Sequence, residues 1–128
     1  MKVKVLKLHR LGMYGFIEIK VMDITKFKTA EKIALNCQNC FAYEIYEVDV
    51  ADNGQRKGKP TLIKSVVFGK WYSREEIVKL AEENPNDRRY QNILRYMKKE
   101  SLGSVVITRT GNWLIPKFGA EVIDHTAT

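Results

Sequence analysis

The residues with the most chemistry to offer lie between positions 88 and 113. Asn92, Arg95, Tyr96 and Lys99 recur at i, i+3, i+4 and i+7, so a helix over residues 88–99 gathers an amide, two cations and a ring on one side. A nucleotide site asks for those groups: hydrogen bonds to a base edge, charge for phosphate and a surface for stacking. A solvated helix face with an amphipathic tyrosine has the same spacing. Further on, Arg109-Thr110-Gly111-Asn112-Trp113 reads as a turn, with a guanidinium and an indole at its two ends. Such a pair can clamp a planar base or a phosphate, and the indole can equally enter the core.

Groups for turnover are scarce. No glycine-rich phosphate loop, zinc-protease helix motif or nucleophile elbow occurs. The two histidines, His9 and His125, lie near opposite ends of the chain, which leaves no ready proton-transfer pair. Cys37 and Cys40 form a lone C-x-x-C without the further ligands that four-coordinate zinc needs, and two small apolar side chains at a helix end explain them equally well. The expectation is binding without catalysis, with neither a metal nor a cofactor.

These groups must be positioned by a single core, because 128 residues is one-domain size and 45% hydrophobic with 29% charged residues is ordinary globular composition. Over residues 1–70 the pattern is mainly sheet. Val3, Val5 and Leu8 mark a first strand, and Ile17, Ile19 and Val21, alternating with Glu18 and Lys20, mark a second. A short helix capped by Thr29 is expected from Ala30, Ile33, Ala34 and Cys37 at i, i+3, i+4 and i+7. Residues 41–50 and 61–68 read as strands, joined by a ten-residue hairpin connection that carries Arg56, Lys57 and Lys59 on its tip.

Over residues 71–128 the period changes to two helices and a hairpin. Ser73-Arg74-Glu75-Glu76 matches a capping box, which makes Glu75 and Glu76 helix-start residues rather than a catalytic acid pair. Asn84-Pro85-Asn86-Asp87 stops that helix and caps the next, whose Tyr90, Ile93, Leu94 and Met97 must pack on the sheet. Gly103 ends it, a strand follows over 104–108, and the 109–113 turn leads into Leu114-Ile115-Pro116. The expected fold class is α+β: an N-terminal antiparallel β-sheet followed by two C-terminal helices and a small terminal β-hairpin.

Twenty-two Lys and Arg against fifteen Asp and Glu give a formal charge of +7, which favours polyanions or phosphorylated small molecules as partners. No apolar run is long enough to span a membrane, and MKVKVLKLHR interleaves charges where a signal peptide would be apolar. A cytoplasmic protein is expected.

One constellation resembles a known family. Phe68-Gly69-Lys70-Trp71-Tyr72, then Glu75-Glu76-Ile77, Tyr90, Ile93-Leu94 and Met97, then Val105-Val106 and Thr108 through Trp113 with Pro116, resembles the phage Thoeris anti-defence sponges. Members of that family sequester cyclic ADP-ribose isomers made by bacterial TIR-domain immune enzymes. The resemblance covers residues 62–124, rests on spaced single residues, and does not extend to the N-terminal half. It implies a homo-oligomer that acts in the infected host cell and buries the signal nucleotide between subunits without cleaving it. Some members also hold cyclic oligonucleotides at separate basic sites. Carried over by residue, Arg109 would contact base or phosphate and Asn92 the base edge, with Arg95, Asn112 and Trp113 nearby. Phe68, Trp71, Tyr72 and Tyr96 compete as the stacking ring. Arg56, Lys57, Lys59 and Lys70 are the candidates for the separate anion site.

The alternative is an RNA- or DNA-binding regulator such as a phage translational repressor, suggested by the basic charge and by aromatics able to stack on single-stranded bases. Against it, the cations are scattered along the chain and no RNA-recognition signature stands out.

Overall fold

A computed structural model describes residues 1–124, so His125 lies outside the described residues. The elements in chain order are β1 (Lys2–Leu11), β2 (Ile17–Ile24), α1 (Phe27–Asn36), β3 (Cys40–Val50), β4 (Arg56–Ser73), α2 (Arg74–Glu83), α3 (Arg88–Lys99), β5 (Ser104–Thr108), β6 (Trp113–Leu114) and β7 (Glu121–Ile123). The strands join in the order β2-β1-β3-β4-β5-β6, with β7 added parallel to β4 over Val66–Phe68. The architecture is α+β, with an antiparallel N-terminal sheet, then helices, then small terminal strands.

One long strand organises the molecule. Along its first part β4 pairs with β3, and from Gly69 to Ser73 it pairs with β5. The terminal hairpin is therefore continuous with the main sheet through β4. Where the sequence suggests a strand over 61–68, β4 starts at Arg56 and runs for 18 residues. The connection shrinks to residues 51–55, and Arg56, Lys57 and Lys59 lie on a strand rather than on a flexible tip. The reason is local: Ala51 N–H donates to Gln55 O and Gly54 N–H to Ala51 O, which closes a tight turn and lets Asp49 and Val50 pair with Lys57 and Arg56.

Two apolar clusters lie on the helix-covered side. Leu6, Leu8, Tyr43, Ile45, Val66 and Phe68 pack against α1, which approaches through Ala30 and Ala34. This helix starts before the expected Thr29 cap, with Lys26 at the N-cap position and no side-chain cap bond. Its stability thus rests on the alanine stripe and on what holds its C-terminus. The second cluster, Ile77, Ile93, Met97 and Val105, is extended by Tyr90, Leu94, Ile107 and Trp113. It fixes α2 and α3 on the sheet by the stripe the sequence predicts. The capping box is formed: Ser73 Oγ accepts from Glu76 N–H at 3.2 Å, and Glu76 Oε1 accepts from Ser73 N–H at 3.1 Å.

No described helix covers the opposite face of β1–β4. Alternation places Lys7 and His9 of β1 beside Glu44 and Tyr46 of β3 on that face. No described helix is long and apolar enough to cross a membrane.

Candidate functional site

The polar side of α3 meets the β5–β6 hairpin along a seam. Tyr96 and Trp113 have ring centroids 5.1 Å apart, tilted at 56°, an aromatic step with Trp113 half-buried against the core and Tyr96 exposed. Near the start of α3, Arg89 Nη1 donates to Gly111 O at 3.4 Å, so the hairpin tip is held at that end too. Asn92 lies between these two contacts in helical register, and Asn92 and Arg95 are both exposed. Gly111 has φ of 90°, which permits the tight tip, and Asn112 N–H donates to Thr108 Oγ1 at 3.2 Å. Tyr96 and Trp113 are thus in direct contact and Asn112 lies beside the tip that Arg89 holds, while Asn92 is set between the two contacts by helical spacing and Arg95, next to Tyr96 in sequence, projects from a different side of the helix.

Arg89 was not among the expected site residues, although it stands at i−3 from Asn92 and i−7 from Tyr96. Asp87 Oδ2 accepts from its Nη2 at 3.0 Å, and its guanidinium lies 5.2 Å from the Tyr90 ring. That hydrogen bond and the Arg89 charge hold the Asp87 carboxyl below its ordinary range.

Arg109 does not contribute a free cation to the seam. Its Nε donates to Cys40 O at 2.7 Å, its Nη2 to Cys37 O at 2.7 Å and Ala34 O at 2.9 Å, and its Nη1 to Leu35 O at 3.5 Å. The guanidinium also stacks on Phe68, 4.8 Å from the ring centroid. It clamps the carbonyl end of α1, where the helix leaves acceptors unsatisfied. The cation at the hairpin is Arg89 instead, exposed and ion-paired with Asp87.

Two expected aromatics are also reassigned. Phe68 is fully buried between Arg109 and Tyr43, so it has no face to offer a ligand. Trp71 is exposed but pairs with Val106, which pairs with Leu114, whereas Lys70 pairs with Ile107 and so with Trp113. Paired positions share a sheet face, so Trp71 and Trp113 project from opposite faces. The same register moves Lys70 into the row of Trp113, where its ammonium lies 5.7 Å from the Tyr72 ring. Lys70 stands eleven residues along β4 from Lys59, about 35 Å of extended chain. The four cations expected as one anion site are therefore divided. Arg56 instead joins Lys7, Tyr46, Val48 and Pro60 around a cavity of about 260 Å³ on the helix-free face, and Lys7 Nζ sits 5.4 Å from the Tyr46 ring.

A second group escaped the sequence reading. Glu44 is buried, yet its carboxylate accepts from His9 Nε2 at 2.6 Å, Tyr46 Oη at 2.9 Å and Lys117 Nζ at 3.4 Å. Burial opposes its ionisation, but the bonds from His9 and Tyr46 and the charges of Lys117 and His9 outweigh that, and its carboxyl lies below the ordinary range. The signal was a charge inside the aromatic and β-branched run FAYEIYEV, where an ionised group survives only with partners. A folded-state pKa below the unfolded one adds stability that is present above the unfolded value and lost as pH falls through the folded value. Melting temperatures across an acid series should therefore show the gap between wild type and Glu44→Gln narrowing toward low pH. A constant gap would contradict an ionised Glu44.

Cys37 and Cys40 are both free. Burial pushes the Cys40 thiol up to about 11, which keeps it protonated and unreactive. Among the described residues no three His, Cys, Asp or Glu side chains cluster as a metal site. Compared with protein families, curated sequences and solved structures, the chain matches none.

Proposed function

We propose that the protein captures a cyclic ADP-ribose-type signal nucleotide at the α3–hairpin seam and holds it chemically unchanged, acting as a phage anti-defence sponge. The observation that carries this reading is the Tyr96–Trp113 aromatic step with Asn92 one turn away and Arg89 and Arg95 flanking it. An adenine ring stacks on the exposed tyrosine, the Asn92 amide bonds the base edge, and the guanidinium groups take the pyrophosphate. The resemblance over residues 62–124 supports the same ligand class. Sequestration needs no acid, base or nucleophile in the seam, only affinity near 12 kcal/mol if the signal acts at nanomolar concentration.

Self-association belongs to the proposal. β2 is an edge strand whose Ile17, Ile19 and Val21 are each more than half exposed. An antiparallel pairing of two β2 strands centred on Ile19 sets Glu18 opposite Lys20 of the second copy and Ile17 opposite Val21, a self-complementary register.

Isothermal titration with a cyclic ADP-ribose isomer tests the site. Tyr96→Ala should weaken binding about 5- to 150-fold, the range for loss of one stacked base. Asn92→Ala should weaken it about 2- to 10-fold. Asn92→Ala should melt near wild type because its side chain is exposed, whereas Tyr96→Ala gives up the Trp113 ring contact and should melt a few degrees lower while staying folded at the titration temperature. Unchanged affinity in both variants would remove the seam from the account. The nucleic-acid reading is favoured by one observation, the exposed Arg56, Lys57 and Lys59 at the outer end of β4. It requires steep loss of affinity with salt through counterion release, which a pocketed small ligand shows far less.

A further inference from the structure

The helix-free face of the sheet holds a second cavity, about 190 Å³, on the side of β6 opposite the seam, since Leu114 lines it and alternates with Trp113. His9 of β1, Ala42 and Glu44 of β3, and Ser65 and Val67 of β4 form one side, and the segment from Leu114 to Lys117 closes the other. We propose that this cavity binds a small organic ammonium ion with a flat apolar body, and that Lys117 fills the cation position until such a ligand displaces it.

The charge of the site fixes the sign of the ligand. The Glu44 side chain is only 6% exposed, and among the described residues its carboxylate is the one acidic group lining the cavity. Lys117 balances that charge, so a cation that displaces it replaces one ammonium with another, whereas an anion in the same position would leave Glu44 beside a second negative charge. Lys117 is the partner that can leave. Its side chain is 73% exposed, its Nζ–Oε2 distance of 3.4 Å is the longest of the three contacts to Glu44, and it projects from a segment between strands. Exposed ends of ion pairs add little stability, so exchanging Lys117 costs little. His9 and Tyr46 keep the carboxylate oriented while the exchange takes place.

The remaining walls select the body of the ligand. Phe41, Val67, Leu114, Ile115 and Pro116 present apolar surface. The Phe41 and His9 rings, 6.4 Å apart at 51°, both line the cavity and supply its aromatic wall. A cavity of about 150 Å³ holds benzene, so the volume here suits one aromatic ring with a short aminomethyl arm.

Benzylamine is a suitable probe, titrated in 0.15 M salt and followed by amide chemical shifts, with benzyl alcohol as the uncharged control. Wild type should bind benzylamine saturably on the order of millimolar, with shifts confined to residues around His9, Glu44 and 114–117. Lys117→Ala should tighten that binding about two- to fivefold by removing the resident cation. Glu44→Gln should abolish it. Because Lys117 is exposed, its variant folds even if Glu44→Gln does not, and the comparison stands on it alone. Benzyl alcohol binding as tightly as benzylamine, or Lys117→Ala leaving affinity unchanged, lowering it or showing no binding, would overturn the proposal.

Discussion

Arg109→Ala should lower the melting temperature by about 10 to 20 °C, a loss of roughly 3 to 5 kcal/mol, whether or not any nucleotide is present. The guanidinium supplies charge-assisted bonds to Cys40 O, Cys37 O and Ala34 O, and its removal strands those carbonyls at the end of α1 while uncovering Phe68. Because Lys26 provides no side-chain cap at the other end, α1 has little else to hold it. Arg109→Lys should recover less than half of the loss, since an ammonium cannot reproduce a planar fork spread over several acceptors. Any loss of ligand binding in these variants should follow the loss of folding. A variant that melts like wild type but no longer binds would show that Arg109 touches ligand, and the clamp assignment would fail.

Gly69→Ala should cost about 2 to 4 kcal/mol in urea denaturation. A Cβ at this position would stand 2.6 Å from Ile107 O, 2.8 Å from Val106 Cγ1 and 3.0 Å from Thr108 Cα. Two of the three obstacles are backbone atoms of β5, so relief requires prising apart the β4–β5 ladder where β4 passes from the main sheet to the hairpin. Glycine is needed for close approach here rather than for an unusual φ. Gly103→Ala is the control, because a Cβ there meets nothing within 4 Å, and its effect should be within about 0.5 kcal/mol. Equal effects at the two positions would refute the packing argument.

The parts of the fold legible in the sequence were those set by local chemistry. The Ser73–Glu76 box, the Asn84–Asp87 break and the Tyr90–Met97 stripe depend on residues within a few positions of one another, and each forms as the spacing predicts. The long reach of β4 was hidden because a glycine, a proline and three cations among its first residues read as loop. Its pairing with β3 is settled across the sheet, not along the chain. Arg109 was misread for a related reason: a cation beside a turn looks available, and its acceptors lie about seventy residues earlier in the sequence. Trp71 stood as a candidate stacking ring near Trp113, but strand register places the two on opposite faces. The seam was half legible. Its α3 residues followed helical spacing, while the Arg89 contact with Gly111 depended on where the hairpin tip falls.

Capture without conversion is tested most directly by depletion and release. Excess protein is incubated with a cyclic ADP-ribose isomer, the free nucleotide is measured after ultrafiltration, and the retained fraction is heated to denature the protein. The nucleotide should disappear from the filtrate and return on heating with its mass and chromatographic position unaltered, in proportion to the protein used. A filtrate that keeps its nucleotide, or a heated fraction that yields linear ADP-ribose in its place, would contradict capture without conversion.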